Sequence, residues 1–277
     1  MNDTGVKIDS IFVVIDPTSE QQRALNKAVD LASHYGSDIH VYLCIYSGLV
    51  TDDPDMLRRV ETTRYKLWLE TFLEPIRAEG INVDVQIDWT PSWREALRDA
   101  ALKANCDLII KPTSRARHGV IRITSSDMML FESSRSRILL TSSREHAPTY
   151  RILTAVDPFR DNARYRKLYN TVMKSSRHIE AAYADKGAEL HVVYAYSDQD
   201  HYKHVTEVAN ATGVDASRTH VVGGRPEEAI EKVAAELEAY LVIIGTSTAS
   251  AVANRVFGAT TDWILNHVHY DILVIME

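Results

Sequence analysis

The sequence predicts an α/β protein made of two tandem, doubly wound parallel sheets, and three observations lead there. The chain repeats itself: SIFVVIDP at residues 10–17 returns as RILTAVDP at 151–158, and CDLIIKPTS at 106–114 returns as AYLVIIGTS at 239–247. Asp16 and Asp157 stand 141 positions apart, and Lys111 and Gly245 stand 134 apart, so the copies drift by one short loop. Short apolar runs of strand length then alternate with longer segments of helical spacing, the grammar of βαβ units. The strands are almost wholly Val, Ile and Leu, which requires helices on both faces of a parallel sheet. A chain of 277 residues, 45% apolar and 25% charged, suffices for two ordinary domains with packed cores.

In the first copy, strands are expected at 11–15, 39–45, 83–87, 107–111 and 137–141. Helical faces lie at Leu25/Ala28/Val29/Ala32, at Leu69/Phe72/Leu73/Ile76 and at Trp93/Ala96/Leu97/Ala100/Ala101/Ala104, all spaced three or four apart. Gly36 and Gly80 sit where a left-handed cap ends a helix, and Pro91-Ser92 precedes the third helix. Tyr65, Trp68 and Phe72 share the spacing of Leu69 and Leu73 and read as core; any that lie outside would mark a partner surface. In the second copy, strands are expected near 151–156, 189–195, 218–222, 240–245 and 271–275, with helices near 162–186, 201–212, 226–238 and 260–268. Three further landmarks keep their order: Trp93–Leu97 matches Pro226–Ile230, Ser126-Asp127 matches Thr261-Asp262, and the run from Arg137 matches the run from Asp271. The polar stretch SSREHAPTY at 142–150 is the natural link, dividing the chain into domains 1–145 and 146–277.

Composition excludes several functions. A net charge of −7 with no long basic run disfavours nucleic acid. No stretch approaches the roughly 20 apolar residues of a membrane span, and MNDTGVKIDS lacks a basic start followed by an apolar core, so no membrane partner and a cytoplasmic location are expected. Cys44 and Cys106 lie unpaired in apolar runs and read as core residues. His201/His204 and His267/His269 could each offer two imidazoles, but no Cys, Asp or Glu completes either set, so no metal is expected. Phosphate-loop, dinucleotide, nucleophile-elbow and zinc-protease motifs are all missing, which gives no catalytic residues to nominate.

Ligands of parallel sheets bind beyond the carboxyl ends of the strands, which directs attention to Asp16, Asp157 and the loops after Lys111 and Gly245. A first strand ending in Asp, a fourth ending in Gly245-Thr246 and a loop reaching Gly258 thirteen residues later resemble the universal stress protein family, as two tandem copies. The resemblance implies Rossmann-like five-stranded sheets of order 3-2-1-4-5. It also implies antiparallel pairing of the last strands, 137–141 against 271–275, which makes the chain an intramolecular pseudo-dimer. Nucleotide-binding members carry Gly-x2-Gly-x9-Gly-Ser/Thr after the fourth strand. Glycines let backbone N–H groups approach phosphate, and a hydroxyl at the helix start adds a donor where the dipole favours an anion.

Laid on the second copy, that motif falls on Gly245, Thr248, Gly258 and Ala259, with Thr260 and Thr261 following. Thr248 brings a Cβ that disfavours positive φ and so works against the tight loop around phosphate; a weak or altered nucleotide site with ATP as candidate cofactor is one alternative for the second copy, and no nucleotide site is the other. In the first copy Lys111 replaces the first glycine and Gly119 falls at no motif position, so no ATP site is expected there. Asp157 corresponds to the family residue that approaches adenosine, and Asp16 is its counterpart; the other reading for both is an Asp that fixes the turn before the next helix. Lys111, Arg115, Arg117, His118 and Arg122 form a basic cluster that either holds a phosphate or carboxylate group or is a solvated loop offsetting the acidic surplus. The function implied is a stress-response protein that acts by binding a protein or small molecule, without clear catalysis. The alternatives are a switch driven by ATP or ADP in the second copy, and a binder of another small molecule in the altered clefts. A further homodimer stays open.

Overall fold

The computed structural model describes residues 8–46, 48, 51–115, 121, 122, 124–134, 136–142, 149–246, 259–267 and 270–276. In chain order the elements are β1 (Ser10–Val14), α1 (Arg23–Tyr35), β2 (Asp38–Ile45), α2 (Pro54–Ala78), β3 (Val83–Trp89), α3 (Trp93–Ala104), β4 (Leu108–Pro112), β5 (Ser114–Arg115), β6 (Ile121–Arg122), α4 (Ser125–Ser133) and β7 (Arg137–Thr141). There follow β8 (Arg151–Ala155), α5 (Ala163–Ala182), β9 (Glu189–Tyr196), α6 (Val205–Thr212), β10 (Thr219–Gly223), α7 (Pro226–Leu237), β11 (Leu241–Thr246), α8 (Ala259–His267) and β12 (Asp271–Met276). Two compact units emerge: an N-terminal unit of Ile8–Pro112 with Thr124–Ser136, and a C-terminal unit of Arg137–Glu277 with Thr113–Ile123.

The N-terminal unit carries the parallel order β4-β1-β2-β3, with Ile11 opposite both Ile39 and Leu108, and Ile39 opposite Val83. Consecutive residues of β1 and β4 are buried. Because neighbours on a strand point to opposite faces, both faces are covered, as the Val/Ile/Leu runs require. α1 ends where expected, with Gly36 in the left-handed conformation at φ 69° donating to Ala32 O. The C-terminal unit has the order β10-β9-β8-β11-β12, which is 3-2-1-4-5. β7 joins this unit antiparallel to β12, with Leu140 opposite Ile272 and Ile138 opposite Val274, the pairing the resemblance implies.

Three local features depart from the sequence reading. The helix expected at 162–186 stops at Ala182, because the buried Tyr183 ring packs against Tyr150 and Tyr240 at 5.3 and 5.5 Å; a 3-10 turn, Ala184–Lys186, then closes on left-handed Gly187. The helix expected at 201–212 begins only at Val205, since His204 caps it, receiving the Thr206 N–H on Nδ1 while its own N–H donates to Glu207 Oε2. His201 sits in a separate 3-10 turn, so the two imidazoles do not share a helix face. A short hairpin, β5 with β6, occupies part of the basic loop.

On β9 and β10 a pair of histidines gives the C-terminal unit a pH dependence. His191 Nδ1 and His220 Nε2 are 3.2 Å apart, a contact in which one nitrogen must lack a proton. Burial pulls both imidazoles below their ordinary range, and each ring's neighbours add to or oppose this: His220 lowers His191, whereas Glu189 raises His191 and Glu236 raises His220. A base whose folded pKa lies below its unfolded value takes protons first in the unfolded state, so stability falls as pH drops through the ordinary histidine value of about 6.5. The melting temperature is therefore expected to decline between about pH 7 and pH 5, and His191→Gln with His220→Gln to flatten that slope. A slope unchanged in the double variant would show that the pair does not set it.

Candidate functional site

In the C-terminal unit, β8 delivers Asp157 at its carboxyl end. Asp157 Oδ1 accepts the Phe159 N–H at 3.1 Å, and the Asp157 N–H donates to the Tyr165 hydroxyl at 3.0 Å. Asp16 closes the equivalent turn of the N-terminal unit, its Oδ1 accepting the Thr18 N–H and hydroxyl at 2.9 and 2.6 Å. Both aspartates thus do the turn-fixing work of an Asx motif. Asp157 additionally lines a cleft of about 260 Å³ shared with Phe159, Arg160, Tyr165, Arg166 and Tyr169. The Arg160 guanidinium lies 4.9 Å over the Tyr165 ring, and Arg166 pairs with Asp161 at 2.8 Å. Burial pushes the Tyr165 phenol up, against the lowering contact with the Asp157 N–H, so it stays neutral and keeps a proton to donate. The cleft combines aromatic faces, two guanidinium groups and two carboxylates, Asp157 and Asp161, the second of which engages Arg166.

At the end of β11, Gly245 meets α5. A Cβ built there would lie 2.8 Å from Val172 Cγ2 and 3.0 Å from Leu168 Cγ, so the glycine lets helix and strand approach. Its φ is outside the left-handed region. Thr248 and Gly258 lie outside the described residues; Ala259 and Thr260 open α8. The Thr260 hydroxyl donates to Glu227 Oε2 at 3.4 Å, and Arg225 Nη2 reaches Glu227 Oε1 at 2.5 Å. Burial pushes the Glu227 carboxyl up, but its own N–H, the Arg225 guanidinium and the Thr260 hydroxyl outweigh it and hold the group below its usual range. Sequence reasoning missed Arg225 and Glu227 as neighbours of the α8 start, although their place in the run GGRPEEAI, ahead of a helix, was a usable signal.

The N-terminal unit handles the same place differently. Lys111 Nζ sits 2.8 Å from Asp127 Oδ1, with side chains only 6% and 1% exposed. Asp127 is also the third residue of α4, where Thr124 caps the helix: the Thr124 N–H donates to Asp127 Oδ2 at 2.7 Å and the Asp127 N–H to Thr124 Oγ1 at 3.4 Å. The helix start therefore already faces a carboxylate of its own chain, neutralised by Lys111. Asp262, the counterpart of Asp127, is exposed. Of the other basic residues, Arg115 and Arg122 fall on β5 and β6, opposite Ile121 and Ser114, while Arg117, His118 and Gly119 lie outside the described residues.

Among the described residues no group of three or more His, Cys, Asp or Glu could hold a metal, and no helix is long and apolar enough to cross a membrane. Burial pushes both thiols up, Cys106 to about 11, leaving little thiolate at neutral pH.

The model of the universal stress protein family matches residues 7–140 and 171–276. The chain belongs to that family. Among relatives, universal stress protein E of Escherichia coli K12 is 23% identical, with 96% of this chain and 93% of that protein covered. Universal stress protein E of Photorhabdus laumondii is 22% identical over 96% and 94%. The tandem arrangement is therefore common to these universal stress proteins and this chain. Among solved structures, a protein of unknown function from Pseudomonas aeruginosa superposes with a TM-score of 0.80 at 22% identity, covering 98% of this chain and 93% of that one. A universal stress protein from Archaeoglobus fulgidus superposes at 0.69 with 18% identity, covering 98% and 99%. Both share the fold. Membership in the universal stress protein family supports a binding role in the stress response.

Proposed function

We propose that this universal stress protein works in the cytoplasm as an asymmetric binding protein. Its C-terminal unit takes a small nucleotide-like ligand, with ATP as the first candidate, and its N-terminal unit takes none. The observation that carries this reading is the contrast at the two equivalent helix starts. Lys111 and Asp127 fill that place in the N-terminal unit, whereas the C-terminal unit has Gly245, which adds no side chain, and an exposed Asp262. The cleft beside Asp157 adds the chemistry a nucleotide needs: rings for a base to lie against, guanidinium groups for phosphate, and Asp157 Oδ2 for a hydroxyl or amino donor.

Calorimetric titration of ATP with magnesium tests the proposal. The wild-type chain is expected to bind with measurable heat, and Asp157→Asn, whose amide oxygen still serves the Phe159 N–H, to bind at least about tenfold more weakly, a loss of about 1.4 kcal/mol. Ligand at 100 times its dissociation constant would stabilise the fold by about 2.7 kcal/mol. The absence of both heat and thermal shift at millimolar ATP would contradict the proposal. Saturable binding of a different small molecule to the same cleft would redirect it to that ligand class.

A further inference from the structure

The geometry points to a helix-docking surface on the outer face of α2 whose partner is an acidic amphipathic helix of another protein. α2 is 25 residues long but buries only Leu69, Leu73 and Ile76, all in its C-terminal half. Tyr65, Trp68 and Phe72 are half-buried and form an edge-to-face ladder at 6.1 and 5.2 Å, leaving them part of the helix's own packing. Met56, Val60 and Leu67 do the opposite, being 57%, 52% and 66% exposed. At about 100° per residue these three and Thr63 fall within an arc of about 60°, on the side of the helix turned away from the buried leucines. They form a stripe three turns long, about 16 Å, with the i, i+4 spacing by which one helix receives another.

Charge decides the occupant. Arg59 and Lys66 border the stripe on one side and Arg64 on the other, all exposed. Arg64 is engaged by Glu61 at 2.6 Å, and Glu70, further along, is engaged by Arg77, while Asp55 stands at the N-terminal end. Glu74, exposed and in line with the stripe, stands about 10 Å beyond Leu67, so the border is basic along Met56–Leu67 and acidic past its end, and the stripe itself suits a helix with Leu-like residues on one face and Asp or Glu beside them. A second copy meeting this face about a two-fold axis would set the Arg59 and Lys66 of each chain near one another, a like-charge arrangement that disfavours it.

The test uses the full chain and two labelled helical peptides with the same leucine stripe, one flanked by Glu and one by Lys. Fluorescence anisotropy is expected to show saturable binding of the Glu peptide only, weakening with salt. Binding should fall at least tenfold in Val60→Asp with Leu67→Asp, both exposed positions where the fold is retained by circular dichroism. Arg59→Glu with Lys66→Glu should shift preference to the Lys peptide. No binding, equal binding of both peptides, or binding insensitive to these variants would overturn the inference. So would a dimer, seen by sedimentation, that Leu67→Asp dissociates, or co-sedimentation with phosphatidylserine vesicles in the absence of peptide binding.

Discussion

Replacing Lys111 by Met is expected to destabilise the N-terminal unit by about 3 kcal/mol or more, the range seen when one partner of a buried ion pair is removed and the other left charged. Asp127 would keep its bonds to Thr124 but lose the cation 2.8 Å away in a place with almost no solvent. A second change, Asp127→Asn, should restore most of the loss in the Lys111→Met background. The amide is uncharged, and its oxygen still accepts the Thr124 N–H. In the wild-type background the same change should itself destabilise, because it strands a buried ammonium. Urea unfolding of the four proteins measures the coupling. A cost below about 0.5 kcal/mol for Lys111→Met would place the pair among exposed ion pairs and remove it as the occupant of the helix start.

Gly245→Ala carries the second large effect. The added methyl would enter the space of Val172 and Leu168, two buried branched side chains of α5 that cannot swing clear, and overpacking of this kind costs about 1–3 kcal/mol. Val172→Ala in the same chain should recover much of the loss by opening room beside the new methyl. If the glycine instead served only to let a phosphate approach, Gly245→Ala would leave stability unchanged and weaken ATP alone. Thermal unfolding with and without ATP separates the two outcomes, each kcal/mol corresponding to about 2–4 °C for a unit of this size.

These two residues also show where sequence reading succeeds and where it stops. Strand positions, the β8-to-β12 order and the pairing of 137–141 with 271–275 were accessible because buried parallel strands are written in Val, Ile and Leu, and because the repeat and the family resemblance constrain their arrangement. The swap of glycine for lysine at position 111 was visible too. What the lysine does was not, since its partner lies sixteen positions on and across a loop. A usable signal was present: a Lys inside an otherwise apolar strand needs a neutralising partner, and Asp127 follows Thr124 at capping-box spacing. Gly245 carried no such signal, because its steric role depends on which face of α5 reaches β11. Likewise Tyr183 ends α5 early only because Tyr150 and Tyr240 stand ready to receive its ring.

The contrast between the two units is most directly tested by counting nucleotides per chain in native mass spectrometry at saturating ATP and magnesium. One ATP is predicted on the wild-type chain and on Lys111→Met/Asp127→Asn, with occupancy lost in Asp157→Asn. Two on the wild-type chain would show that the Lys111–Asp127 pair does not occupy the first site, and none would show that the C-terminal cleft does not take a nucleotide.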